Sequence, residues 1–216
     1  MAYSSIVKPT DYFNALLYTG NGSTNALTGV GFQPDWVWLK GRSNGDGSRL
    51  YDAVRGTTKE IYSDAADAES TNSNGLTAFG TDGFTLGSSS GTNGSSKTYV
   101  AWNWLGANGT ASNSNGSITS TVSANTTAGF SIVSYTGTGS NATIGHGLGA
   151  VPRWIIVKVR DASNNWIVQH GSLGATKRML LDATSAEASA STFFNNTEPT
   201  SSVFSVGTED VTNNNG

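Results

Sequence analysis

The sequence predicts an all-β fold made of two tandem, related units, each resembling a β-sandwich or jelly roll. Short runs rich in β-branched and aromatic residues recur at spacings of about 8–15 residues with Gly or Asn between them, as in sandwiches. The composition agrees, because Gly accounts for 27 of the 216 residues and only 12% of residues are charged. An internal repeat is the third observation, and it divides the chain in two.

The internal repeat begins with "YTGNGS" at Tyr18–Ser23, which recurs as "YTGTGS" at Tyr135–Ser140, an offset of 117. "PDWVWLKGR" from Pro34 then matches "PRWIIVKVR" from Pro152 at an offset of 118, and "GFTLG" matches "VFSVG" further along. Matches that keep their order over this length indicate an internal duplication.

The predicted strands follow the same order in both copies. In the first copy they lie near residues 12–19, 35–42, 49–54, 59–62, 76–79, 83–86 and 97–105. In the second copy they lie near residues 130–136, 153–160, 165–170, 177–182, 192–194 and 202–206. Segments 64–70 and 182–188, rich in Ala, Asp and Glu, are the only helical candidates, with about two turns each.

The domain boundary is predicted in the segment 106–116, which has no apolar residue larger than Ala and is expected to be a linker or exposed loop. Residues 1–105 then form the first unit and residues 117–216 the second. "KTYVAWNWL" at Lys97–Leu105 ends the first copy, whereas the second stops at Gly216 before any counterpart. We therefore expect the second unit to lack its last strand and to offer an open edge to another chain.

Composition and charge exclude several kinds of partner. The net charge is -3 and the 12 Lys and Arg are scattered, so the basic field that nucleic-acid binding needs is missing. No run approaches the roughly 18 apolar residues of a membrane span, and the N-terminus lacks the pattern of a secretory signal. An adhesin-like composition without an export signal is expected of a virion component that is assembled in the host cytoplasm and released by lysis.

We predict no catalytic residues and expect the protein not to be an enzyme. There is no cysteine, and the two histidines stand in no recognisable nucleophile motif. Asp64 and Glu69 recur as Asp182 and Glu187. They could be a repeated acid pair, but a solvated turn or the start of a helix is the favoured interpretation.

Asp46 and Asp52 are the candidate metal ligands. They lie among glycines in "NGDGSRLYD", which faintly resembles a calcium loop but lacks its terminal glutamate. No cofactor is predicted, and calcium at this loop is the alternative.

The candidate ligand contacts are residues present in one copy only. Trp166 corresponds to Ser48, and on a strand it would share a side with His170. His146 lies in the glycine-rich stretch "IGHGLG", whose counterpart has no histidine. The alternatives are core packing for Trp166 and a solvated turn for His146.

The other tryptophans are predicted to be core. Trp36 recurs as Trp154, whereas Trp38 is replaced by Ile156, and a position that accepts Ile needs apolar volume rather than an aromatic face. Trp102 and Trp104 lie two residues apart in the last strand of the first copy and are also predicted to be core.

Four stretches carry a family resemblance: "DYFNALLYTGNGSTNALTGVGFQPDWVWLKGRS", "GLTAFGTDGFTLGS", "YVAWNWLG" and "GSITSTVSANTTAGFSIVSYTGTGSNATIGHGLG". They resemble a widespread family encoded by marine tailed bacteriophages, usually described as tail-fibre or virion structural proteins. The resemblance implies a virion component whose partners are other virion proteins and copies of itself. Family members similar to this chain continue past the second copy with a further aromatic strand.

Three functions follow as hypotheses. The first is a non-enzymatic tail-fibre or surface-fibre module that is oligomeric and contacts host-surface glycan. The second is a capsid decoration or filament-forming subunit without a ligand, and the third is a polysaccharide-degrading enzyme. A groove lined by aromatic residues would favour the first, a large apolar subunit interface the second, and two facing carboxylates the third.

Overall fold

The computed structural model describes residues 6–43, 45–189 and 191–215. About 40% of the protein is strand and 5% is helix, so the predicted all-β class is confirmed. The chain divides into two compact units. The first contains the described residues up to Tyr62 together with Glu69–Thr110, and the second contains Ser63–Ala68 together with the described residues from Ala111 onward.

The described residues of the first unit form nine strands and one short helix. A single 3-10 turn, Pro9–Asp11, precedes the first strand. The elements are β1 (Phe13–Thr19), β2 (Asn25–Thr28), β3 (Trp36–Gly41), β4 (Arg49–Asp52), β5 (Gly56–Tyr62), β6 (Ser70–Thr71), β7 (Leu76–Gly80), β8 (Gly83–Leu86), α1 (Ser90–Asn93) and β9 (Thr98–Trp104).

These strands form a six-stranded antiparallel sheet in the order β1-β9-β3-β4-β5-β6 and a three-stranded sheet in the order β2-β8-β7. Side chains alternate along a strand, and the alternation in β3 puts Val37 and Leu39, 0% and 2% exposed, on the inner face of the larger sheet. Leu76 from β7 and Phe84 and Leu86 from β8 pack against them from the smaller sheet. The first unit is therefore β-sandwich-like, with its core between the two sheets.

Nine strands and one short helix also lie in the part of the second unit that the structure describes. They are β10 (Ala111–Asn113), β11 (Ser120–Asn125), β12 (Phe130–Ser134), β13 (Ala142–Gly145), β14 (Trp154–Val157), β15 (Ile167–His170), β16 (Lys177–Leu180), β17 (Ala188–Ser189), β18 (Val203–Val206) and α2 (Asp210–Asn213).

The strands of the second unit form three smaller sheets, in the orders β10-β11-β12, β14-β15-β16-β17 and β13-β18. Val157 and Ile167 from the four-stranded sheet pack with Phe194 in one apolar cluster. A second cluster is centred on Ile144, Phe204 and Val206 from the two-stranded sheet.

The elements of the two units occupy matching positions. β1 and β12 begin 117 residues apart, β3 and β14 begin 118 apart, and α1 and α2 begin 120 apart. These are the offsets at which the sequence repeats, and the duplication itself stays an inference from that repeat. Among the described residues of the second unit, no strand corresponds to β9.

The sequence predicts that the second unit lacks its last strand and has an open edge there. In the first unit, however, the corresponding strand β9 does not lie at an edge. β9 lies between β1 and β3 in the first unit, so it is a central strand. The second unit accordingly has β12 and β14 in separate sheets.

Several local predictions were wrong. Segments 64–70 and 182–188 contain turns, bends and extended residues instead of helix, and residues 192–194 are not a strand. Glu69 is instead paired with Arg55, at 3.1 Å from Oε2 to Nη1, and Asp182 accepts a hydrogen bond from the Trp166 N–H. β10 lies inside the predicted linker and pairs with β11.

Within the described ranges, no helix has the length and apolar character that crossing a membrane requires.

Candidate functional site

The outer face of the β14-β15-β16 sheet carries the candidate site. Residues that are directly paired across strands share a face, and the register pairs Trp154 with His170 and Val168 with Met179. The alternate residues of β14 and β15, Val157 and Ile167 among them, pack into the core. Trp154, Val168, His170 and Met179 therefore share the face opposite that apolar cluster.

These side chains surround an open depression of about 350 Å³. Trp154 is predicted to be core, but this prediction was wrong, because its side chain is 56% exposed and lines the depression. Val168 is only 3% exposed and lies beneath it. We call this surface the Trp154 depression, and its lining residues are Trp154, Val168, His170, Met179, Leu180 and Leu181.

His170 is the polar group of the depression. The backbone N–H of Ser172 donates to His170 Nδ1 at 3.2 Å. In the neutral ring, this contact leaves Nε2 as the N–H donor. The depression thus combines an aromatic face with one oriented hydrogen-bond donor, which is the usual make-up of a small apolar binding site.

The structure does not bring Trp166 to this surface. Trp166 is 4% exposed, and its backbone N–H donates to Asp182 Oδ1 at 3.1 Å. It precedes β15 and is buried, so its indole is not presented to a ligand. The alternative prediction, that Trp166 packs in the core, is therefore the correct one. The tryptophan that this sheet exposes is Trp154.

His146 is a structural residue of a turn. It is 3% exposed. The backbone N–H of Leu148 donates to its Nδ1 at 3.2 Å, and its Nε2 lies 3.2 Å from the carbonyl oxygen of Thr200. Nε2 is therefore the protonated nitrogen and donates to that carbonyl. Burial lowers the pKa of His146, so that the neutral ring is favoured.

The two candidate calcium ligands each lie beside a basic side chain instead of facing each other across a site. Asp52 is 2% exposed and forms an ion pair with Arg55, whose backbone N–H also donates to it. Asp46 lies 3.4 Å from Lys97 Nζ. Among the described residues, no three His, Cys, Asp or Glu side chains come together in a way that could hold a metal ion.

The four remaining tryptophans form a row on the outer face of the six-stranded sheet. Register pairs Trp36 with Trp104 and Trp38 with Trp102, on the side of β3 opposite Val37 and Leu39. All four are partly exposed, so they are not members of the core as predicted. The rings of Trp38 and Trp102 pack on each other with centroids 6.0 Å apart, and the Trp104 ring packs on Phe13 with centroids 4.7 Å apart.

Buried carboxylates in the first unit are engaged in structural contacts. Glu60 is 3% exposed and lies 3.5 Å from Arg49 Nε. The Tyr51 hydroxyl and the Asn72 amide both donate to its Oε2. Arg55 bridges Asp52 and Glu69 in a second ion-pair group. A buried carboxylate is stable when it is paired and hydrogen-bonded in this way.

Two buried asparagines, Asn93 and Asn213, were missed by sequence reasoning. Asn93 Nδ2 donates to the carbonyls of Ser23 at 2.5 Å and Gly87 at 2.8 Å. Asn213 Nδ2 donates to the equivalent carbonyls, Ser140 and Gly207, both at 2.6 Å. A Thr-Asn pair does recur at an offset of 120, and that signal could have identified them.

One family comparison applies to nearly the whole chain. The family model described as "Domain of unknown function (DUF7483)" matches residues 8–216. No curated protein matches the chain. No solved structure matches it either. Because the match extends over both units, the protein belongs to the DUF7483 family.

Proposed function

We propose that this protein is a non-catalytic module of a bacteriophage tail fibre or surface fibre that contacts carbohydrate through the Trp154 depression. The observation that carries the proposal is the exposed indole of Trp154 beside His170 on the outer face of the β14-β15-β16 sheet. Its virion setting rests on the resemblance of the long sequence stretches to phage fibre proteins and on the charge-poor composition.

The chemistry of the depression suits a neutral sugar. The apolar C–H face of a pyranose can stack on an indole, because aromatic rings bury a large area at low entropic cost. His170 Nε2–H can donate to a hydroxyl group beside the ring. Only 12% of the residues are charged, so a neutral ligand fits this surface better than an anionic one.

The pairing of the carboxylates favours binding over hydrolysis. Glycoside hydrolysis requires two carboxyl groups that face each other across a cleft. Glu69 and Asp52 both contact Arg55, and Asp182 accepts hydrogen bonds from the Trp166 backbone N–H and the Asn165 amide. These carboxylates thus have structural partners.

Binding to a glycan array, followed by calorimetry with the best oligosaccharide, tests the proposal. We expect Trp154→Ala to weaken binding by about tenfold or more, because stacking contributes on the order of 1 kcal/mol beyond buried area. Trp154→Phe retains an aromatic face and should bind nearly as well as the native chain. Leu17→Ala, at a residue that is 62% exposed in the first unit, should have no effect.

Two results would contradict the carbohydrate proposal. One is a native chain that binds no glycan on the array, and the other is undiminished binding by Trp154→Ala. The virion setting has a separate test: antibodies to the chain should label a fibre on purified particles, and particles that carry no label would exclude it.

A structural subunit without a ligand is the second candidate. Exposed apolar side chains favour it, since Leu17 is 62% exposed and Val151 49% exposed, and covering them with another subunit would remove apolar surface from water. Sedimentation of the native chain and of Leu17→Asp would test it. Assembly that the aspartate abolishes supports this function, and a monomer at all concentrations contradicts it.

A further inference from the structure

Within the described ranges, five asparagines are followed directly by a glycine that is also described. They are Asn21, Asn74, Asn93, Asn108 and Asn115. Such a pair can react without an enzyme when the main-chain nitrogen of the glycine attacks the side-chain carbonyl carbon, Cγ, of the asparagine. Glycine permits the attack because it has no Cβ in the way and its backbone adopts conformations that other residues avoid. The surrounding structure decides which of the five pairs is free to react.

In three of the pairs the glycine nitrogen is already a hydrogen-bond donor. The N–H of Gly22 and the N–H of Gly75 donate to main-chain carbonyls at 2.8 Å and 3.0 Å. The N–H of Gly94 donates to the Tyr99 hydroxyl at 2.8 Å, and the Asn93 side chain before it is buried. These nitrogens can attack only after the structure opens locally, which makes the reaction slower.

In the fourth pair, Asn115 and Gly116, packing restrains the glycine. Gly116 lies against the backbone of β13, so closely that a Cβ added to it would overlap the carbonyl oxygen of Thr143. The next residue is fixed as well, because the Ser117 N–H donates to Thr143 Oγ1 and the Thr143 N–H donates to Ser117 Oγ, both at 2.9 Å. Closing a ring between the asparagine and the glycine would require the peptide unit between them to turn, and these contacts oppose that movement.

The fifth pair, Asn108 and Gly109, has no such restraint. Both residues are exposed, and a Cβ added to Gly109 would meet nothing within 4 Å. Among the described residues, neither the Asn108 side chain nor the Gly109 N–H has a hydrogen-bond partner. The nucleophilic nitrogen and the carbon that it attacks are therefore both accessible in the folded chain.

We infer that Asn108 is a site of spontaneous deamidation. The Gly109 nitrogen loses its proton and forms a bond to Asn108 Cγ, the Cγ–Nδ2 bond breaks, and the side-chain nitrogen leaves as ammonia. Water then opens the resulting succinimide ring. Addition of water at Cγ gives aspartate, whereas addition at the main-chain carbonyl carbon gives isoaspartate, in which the backbone runs through the side chain. The reaction takes place in the first unit and does not depend on carbohydrate binding.

Deamidation at this position changes the surroundings of a buried carboxylate, Asp35. Asp35 is 0% exposed, and its Oδ2 accepts from the N–H groups of Gly106 at 2.8 Å and Asn108 at 3.0 Å. These bonds hold the beginning of the segment that connects β9 to β10. A negative charge on residue 108 repels the Asp35 carboxylate, and isoaspartate also adds one carbon to the main chain just after the bound N–H. Both products therefore weaken the two hydrogen bonds.

Peptide mapping of the folded chain, aged in mildly alkaline buffer, measures the reaction through the mass that each peptide gains. We expect Asn108 to convert about tenfold faster or more than the other four asparagines, because their glycines must first be released. In denaturant all five glycines are free, so the five pairs should convert at similar rates. The pairs at 44–45 and 215–216 each include a residue outside the described ranges and are scored separately.

A variant tests the effect on Asp35. In Asn108→Asp, which reproduces one product, the amides of Gly106 and residue 108 should exchange with deuterium about tenfold faster than in the native chain, because their acceptor is less firmly held. Asn141→Asp makes the same change of charge at an exposed position of the second unit. It should leave the exchange of these two amides unchanged.

Two mapping results would overturn the inference. One is a folded chain in which another of the five pairs converts as fast as Asn108 or faster. The other is a lead of Asn108 that is equally large in denaturant, since the selectivity would then come from local sequence and not from the fold. Exchange that is equal in Asn108→Asp and Asn141→Asp would refute the weakening of the Asp35 hydrogen bonds.

Discussion

Asn93 and Asn213 show how one buried side chain can organise several loops. Each is fully buried, at 0% and 1% exposure, and is the last residue of its short helix. The Asn213 amide donates to two carbonyls while its Oδ1 accepts from the Thr138 N–H at 2.9 Å. Loops without regular structure have backbone groups that need such partners, and an asparagine supplies both donors and an acceptor.

We predict that Asn213→Ala destabilises the second unit by about 3 kcal/mol, because it leaves buried carbonyl and N–H groups without partners. Chemical denaturation followed by intrinsic fluorescence measures the loss. Asn141→Ala, at an exposed position of the same loop, is the matched control and should change stability little. Equal stability of the two variants would mean that the hydrogen bonds of Asn213 contribute nothing net.

We also predict that His146 makes the protein less stable in mild acid. Burial lowers its pKa below the ordinary value of 6.5, so the unfolded chain binds a proton more readily than the folded chain. The stabilisation is complete above pH 6.5 and decreases as the pH falls toward the folded-state pKa. In His146→Gln, which retains His170, the free energy of unfolding should depend less on pH between about 5 and 7. An unchanged pH profile in the variant would contradict this role.

The turn of the β7-β8 hairpin forms hydrogen bonds with the loop that connects β2 to β3. The Asp82 carboxylate, in the hairpin turn, accepts from the N–H groups of Gly29 at 3.0 Å and Gly31 at 2.6 Å. Both glycines have left-handed φ values, 93° and 91°, which other residues adopt at a cost. These bonds lower the pKa of Asp82, and between the glycines Val30 is fully buried.

We predict that Asp82→Ala loosens this loop and lowers the melting temperature. Hydrogen exchange at Gly29 and Gly31 should accelerate by roughly tenfold, since each amide loses its acceptor. Because the folded-state pKa of Asp82 is lowered, its contribution is present above the ordinary value of 3.8 and is lost as the pH falls through the folded value. Asp161→Ala, at an exposed carboxylate of the other unit, is the control, and equal exchange in both variants would refute the prediction.

Strand existence was easier to predict than strand pairing. β3, β4, β8 and β9 lie within the predicted segments because their β-branched and aromatic residues are a local signal. β2 and β13 were missed, since "NALT" and "ATIG" are short and become strands by pairing with β8 and β18, far away along the chain. The predicted helix at 64–70 does not form for a related reason: Glu69 makes an ion pair with Arg55, which lies outside that segment.

Across the whole chain, the two units differ most in their central strands. β3 has neighbours on both sides, β9 and β4, whereas β14 pairs with β15. A strand that pairs on one side leaves half of its N–H and C=O groups to water or to another strand. The same repeat therefore yields a continuous six-stranded sheet in one unit and a divided arrangement in the other.

We predict that this difference is visible in the native chain by hydrogen exchange. On average, the amides of β14 should exchange about tenfold faster or more than those of β3, because fewer of them have strand partners. The two strands share an alignment and similar apolar content, so each serves as the reference for the other. Equal protection in β3 and β14 would contradict this prediction.

Local sequence was sufficient for the all-β class and for the approximate positions of most strands, because the alternation of side chains and the glycine-rich turns depend on neighbouring residues. It could not say which face of a strand becomes the core. β3 is apolar on both faces, and only the packing of β2-β8-β7 against Val37 and Leu39 leaves Trp36 and Trp38 outside. Nor could chain order reveal that the last strand of the repeat is central, since the β1-β9-β3 order joins residues from both ends of the unit. Tertiary pairing therefore decided that Trp166 is buried, that Trp154 is exposed and that β12 and β14 lie in separate sheets.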